Sequence, residues 1–176
     1  GFSWFNEQWH VTVPVPVDMI GEYQAILISQ AYSDHCHQQT LKELHTVPFI
    51  TTPSASGRLK REMRGREINI LPELTSGKWL ELGALQLAYL DPGRMIDPIY
   101  NGIVIRYRDE VVVYFPHGFT LSANQLKAVQ SYKTLLLITS FSSFKLPVFL
   151  GGISNPGITN ALSLVEALNP RWVVHT

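Results

Sequence analysis

The order in which extended and helical segments follow one another constrains this chain more than any other feature of its sequence. Short apolar runs of β character alternate with helical stretches at the start. A block of extended runs follows, and alternation then resumes. Residues 24–29 (QAILIS) read as a buried strand, 40–45 as a short helix and 49–52 as a second strand ended by Pro53. Ser54 is the expected N-cap of a helix reaching Arg64, with Gly65 as its stop. Residues 68–71, 79–82 and 84–90 read as strands, with turns at Gly77 and Gly83. Residues 102–106 and 111–115 flank a tight turn at Arg108–Asp109, a hairpin signal. Ser122 is expected to cap a helix through Ser131, and 135–139 to form another buried strand. Residues 140–157 read as a long loop, a length that often marks function. Residues 158–168 have helical spacing, with Ile158, Ala161, Leu162, Val165 and Leu168 on one stripe, and 172–174 form a last strand. Segments 11–17 and 91–101 are expected loops, because Pro14, Pro16, Pro92 and Pro98 forbid central strands there. This order predicts an α/β (α+β) fold of sheets covered by helices, as one domain over residues 1–176, with no internal repeat.

Composition narrows the function classes. A chain 45% hydrophobic and only 16% charged folds rather than staying disordered. Its formal net charge of +0 argues against a nucleic-acid or anionic-membrane partner. The basic residues Arg58, Lys60, Arg61, Arg64 and Arg66, broken by Glu62 and Glu67, read as a solvated helix face and its exit, with nucleic-acid binding as the minor alternative. The single cysteine, Cys36, forbids an internal disulfide and fits a reducing, cytoplasmic setting. No apolar run is long enough to span a bilayer, and the first residues lack the basic start and apolar core of a signal peptide. The chain starts at Gly1 and stops at Thr176, directly after an apolar run, so a piece of a longer protein is expected.

The segment with most chemistry is Ser29-Gln30-Ala31-Tyr32-Ser33-Asp34-His35, directly after the first strand. Side chains at strand ends face the crevice in which α/β folds bind ligands. Aspartate next to histidine supplies an oxygen and a nitrogen donor suited to zinc or iron, and His37 lies two residues on. The plainer reading makes Asp34 a helix cap and the histidines surface residues; on residue types alone it is favoured. Arg94 and Asp97 read as a surface ion pair, Tyr32 as lining a pocket, Cys36 as a small buried side chain, and Phe141, Phe144, Phe149 and Trp172 as packing.

The run ILISQAYSDHCHQQTLKEL, followed by VPFITTPSA, resembles the second motif of the metallo-β-lactamase superfamily, whose usual form is His-x-His-x-Asp-His. GRMIDPIYNGIVI, VVVYFPHG and LNPRWVVHT extend the likeness to a branch that carries Ser-Gln in place of Ser-His. The resemblance implies a four-layer αββα sandwich, here truncated at both ends, whose open sheet edges would favour a homodimer. It places Asp34 and His35 in the motif, and Gln30 and Tyr32 where its first two histidines stand. Pro116 and His117 stand where a bridging aspartate is usual, no histidine lies near Gly93 and Arg94, and the last motif histidine falls at or beyond His175.

The surviving donors implied are therefore Asp34, His35 and His117, with His37 and His175 as further candidates. The metal expected is zinc, with iron or manganese as alternatives, and Asp34 and His35 are the candidate catalytic pair. Asp34 would be either a ligand or a base that orients water. Two functions follow. One is a metal-dependent hydrolase-like protein acting on an ester, amide or phosphoester of unknown identity. The other is a degenerate, metal-free relative that binds a small molecule or a protein partner.

Overall fold

A computed structural model describes residues 21–32, 35–44, 47–93, 101–145 and 153–176. The chain forms two compact units, one ending at Ile70 and one running from Leu71 to Thr176.

The first unit is built from β1 (Ile26–Ile28), α1 (Gln38–Glu43), β2 (Phe49–Thr51), α2 (Pro53–Glu62) and β3 (Ile68–Ile70). Its three strands are parallel in the order β1-β2-β3. Parallel strands covered by their crossover helices are apolar on both faces, and all three residues of the central strand are buried. Ile28, Cys36, Leu41, Phe49, Leu59 and Met63 form the core. Complete burial of the Phe49 ring contributes about 1.5–3 kcal/mol. Two threonines tie the end of β2 to that of β1. Thr51 Oγ1 donates to the Ile28 carbonyl at 2.9 Å, and Thr52 Oγ1 to that of Ser29 at 3.1 Å. Thr52, not Ser54, is the N-cap of α2, and Pro53 takes the first helical position. Proline fits there because its missing N–H would be unpaired in any case. Arg66 is not a solvated residue: it donates to the Val47 carbonyl at 2.7 Å and lies over the Phe49 ring.

The second unit contains β4 (Leu80–Leu82), β5 (Leu85–Leu90), β6 (Gly102–Tyr107), β7 (Glu110–Phe115), α3 (Ala123–Gln130), β8 (Lys133–Thr139), β9 (Ser143–Lys145), β10 (Ile153–Pro156), α4 (Ile158–Leu168) and β11 (Trp172–His175). Six strands form one sheet in the order β11-β8-β7-β6-β5-β4. β4 to β7 run antiparallel as a meander, and β7, β8 and β11 run parallel. The carboxyl ends of those three strands therefore lie on one side. Val111, Val113 and Phe115 alternate inward along β7 and pack with Val104, Leu137, Leu164 and Leu168. At Gly102 any Cβ would collide with the Phe115 ring. The predicted hairpin is present, with Arg108 at its turn in the left-handed conformation at φ 58°. Ser122 caps α3 in a full capping box with Gln125.

Three expectations for this unit are corrected. The predicted stripe on α4 is rotated: Ala161, Leu164 and Leu168 are buried, whereas Ile158 and Leu162 are exposed. Residues 140–157 are not one loop, since β9 and β10 pair antiparallel within them. Trp172 is 60% exposed on the edge strand β11, with Arg171 over its ring, and so is not core. Among the described residues no helix is long and apolar enough to cross a membrane.

Candidate functional site

In the first unit the segment after β1 turns at once. The N–H groups of His35 and Cys36 both donate to the Tyr32 carbonyl, at 3.0 and 2.7 Å. An Arg58 guanidinium, itself paired with Glu62, donates to the Ala31 carbonyl. Asp34 lies outside the described residues. His35 is half-buried in the turn. His37 is the N-cap of α1: its Nδ1 lies 2.9 Å from Thr40 Oγ1 and accepts from the Thr40 N–H at 3.4 Å. That bond commits one ring nitrogen to the helix start, the use expected of a capping side chain. Cys36 is completely buried, and burial pushes its thiol pKa up, away from nucleophilic chemistry. Tyr32 is 46% exposed.

Gln30 differs from all of these. It is completely buried at the end of β1, and among the described residues neither its amide oxygen nor its amide nitrogen has a hydrogen-bond partner. An unpaired buried polar group costs about 1–3 kcal/mol. Its carboxamide oxygen suits harder cations than zinc.

In the second unit the polar groups gather at the carboxyl ends of β7, β8 and β11. His117 follows β7 directly, and its Nδ1 is 3.0 Å from Asn155 Oδ1 on β10. Asn155 Nδ2 reaches Ser140 Oγ, at the end of β8, at 3.4 Å. The loop that carries His117 is held on both sides. Thr176 Oγ1 donates to the Pro116 carbonyl at 3.1 Å. Asn160, in the first turn of α4, accepts from the Phe119 N–H at 3.0 Å and donates to its carbonyl at 2.9 Å. Between them Gly118 sits at φ +79°, where a Cβ would lie 2.6 Å from Asn160 Oδ1. His175 lies on β11 with its ring against Phe141 and its Nε2 3.4 Å from Ser142 Oγ, exposed.

The candidate residues are thus divided. His35 and His37 belong to the first unit, and His117 and His175 to the second. Among the described residues no group of three histidine, cysteine, aspartate or glutamate side chains could hold a metal ion. At single residues the fit differs. His117 has one ring nitrogen fixed by a neighbouring carboxamide, as ligating imidazoles do. His37 is committed to a helix cap. Arg94 and Asp97 lie outside the described residues, as does Phe149. Asn155 and Asn160 were not anticipated from sequence. Their only signal is a pair of asparagines flanking the Pro-Gly that opens α4.

The chain is similar to a mutant of the CmlA β-hydroxylase, with a TM-score of 0.66 and 15% identity over 89% of this chain and 36% of that one. It is similar to Igni18, a metallo hydrolase from the archaeon Ignicoccus hospitalis, with a TM-score of 0.60 and 16% identity over 85% and 61%. Zinc-bound PqqB from Methylobacterium extorquens matches with a TM-score of 0.59 and 14% identity over 86% and 59%. The chain therefore has the metallo-β-lactamase fold, the α+β class that its motifs imply. It spans about a third of the CmlA chain and about three-fifths of the other two. No protein-family model and no curated protein matches it.

Proposed function

We propose that this is a hydrolase-like protein of the metallo-β-lactamase fold that uses one metal ion to act on an ester, amide or phosphoester. The fold supports this reading, and the held imidazole of His117 is the observation that carries it. Asp34, His35 and His117 would supply the donors, as the sequence resemblance implies; zinc is the metal proposed, because one structural neighbour is zinc-bound. When bound, such an ion lowers the pKa of its water to about 7 and supplies hydroxide at neutral pH. His35 and His117 would act as neutral imidazoles. The carboxylate of Asp34 would bind the ion or orient the water. His37 is left to its helix cap. The Ser-Gln branch of the superfamily, a cytoplasmic location and a homodimer belong to the same proposal. Metal analysis after dialysis tests it. Close to one equivalent of zinc, iron or manganese is expected, with a melting temperature that rises on adding zinc. No metal and an unmoved melting temperature would instead leave a relative that binds a small molecule or protein without metal.

A further inference from the structure

We propose that Asn155 is the positioning residue of His117, fixing which ring nitrogen carries the proton. The inference rests on the metal reading above for its purpose, but its geometry stands apart. Asn155 turns its Oδ1 to the ring, and its Nδ2 donates to Ser140 Oγ. A carboxamide oxygen only accepts, so Nδ1 is the protonated nitrogen and Nε2 carries the lone pair. That is the tautomer a ligating or proton-accepting Nε2 requires.

Backbone needs do not account for Asn155. The loop's main chain is already served by Asn160 at Phe119 and by Thr176 at Pro116. The bond from Asn155 goes to the ring and adds nothing to that tally. The strand that carries Asn155 is also irregular. Its pairing with β9 passes from Ile153 opposite Lys145 to Asn155 opposite Phe144, so Ser154 is an extra residue. Such bulges re-aim the side chains that follow them.

The test reads the ring first and zinc second. Nitrogen-15 NMR of the zinc-free protein, with the His117 signals assigned by their loss in His117→Gln, should show Nδ1 protonated and Nε2 not. In Asn155→Ala the ring should shift to the Nε2–H form. In Asn155→Asp, which keeps an acceptor, it should stay as in the parent protein. Zinc affinity should fall about 10- to 100-fold in Asn155→Ala and recover in Asn155→Asp. A parent protein with Nε2 protonated, or a ring state indifferent to Asn155→Ala, overturns the proposal. If the ring obeys Asn155 but no variant binds zinc, the positioning role is supported and the metal reading fails. Asn155→Asp keeps the test informative if the alanine variant does not fold.

Discussion

The carboxamide of Asn160 closes two hydrogen bonds on the backbone of Phe119, forty-one residues away, at 3.0 and 2.9 Å. It does for the loop after β7 what a neighbouring strand would do, pairing both an N–H and a carbonyl. Replacing it by alanine leaves both groups without this partner, and a loss of about 1–3 kcal/mol in urea unfolding is expected. Asn160→Asp keeps the acceptor and loses the donor, so its loss should be smaller. Equal losses for the two would show that the donor half carries the clamp.

Gly118 and Gly65 form a matched pair. Both sit at φ +79°, but a Cβ at Gly65 meets nothing within 4 Å, whereas at Gly118 it would lie 2.6 Å from Asn160 Oδ1 and 2.9 Å from Pro156 Cγ. Gly65→Ala should cost about 1–2 kcal/mol, the ordinary penalty of a left-handed residue. Gly118→Ala should cost more, by about 1–3 kcal/mol for the overlap. Chemical denaturation of the two variants reads the difference, and equal costs would mean that the loop after β7 is not tightly held.

Gln30 buries an amide that gains no hydrogen bond among the described residues. Gln30→Met keeps the shape and removes the polar atoms, so it should stabilise the fold by about 1 kcal/mol. A destabilisation of that size would reveal a partner for the amide, such as an ordered water or a cation.

Tyr89 gives the pH dependence. Burial first, then the carboxylates of Asp91 and Glu73, hold its phenol pKa above the ordinary value. The stability it contributes is complete below a pH of about 10, where the unfolded phenol titrates, and is lost as pH rises through the folded value. Tyr89→Phe should therefore flatten the alkaline fall in the urea midpoint above about pH 10. An unchanged slope would remove Tyr89 as its source.

Much of the fold was legible because burial leaves a period in the sequence. The bounds of α4 and the β6–β7 hairpin follow from apolar spacing and from the turn at Arg108. The face of α4 did not follow, because apolar residues lie on more than one of its sides and only packing decides that Leu164 turns inward while Leu162 does not. Thr52 displaced Ser54 as a cap because Pro53 fits the first helical position, which spacing does not reveal. At the site, His117 was visible as a donor and His37 as another, but their partners were not. Asn155 and Thr40 act through hydrogen bonds that leave no periodic trace.

The proposed zinc reading needs His35 and His117 and leaves His37 to its helix cap. Zinc affinity measured by competition with a chromophoric chelator tests it most directly, in the parent protein and in His35→Ala, His117→Ala and His37→Ala. One zinc per chain is expected, with a loss in each of the first two variants larger than the about 10- to 100-fold of an outer-shell partner, and near-parent affinity in the third. Zinc binding unaffected by both His35→Ala and His117→Ala, or none in the parent protein, would contradict it.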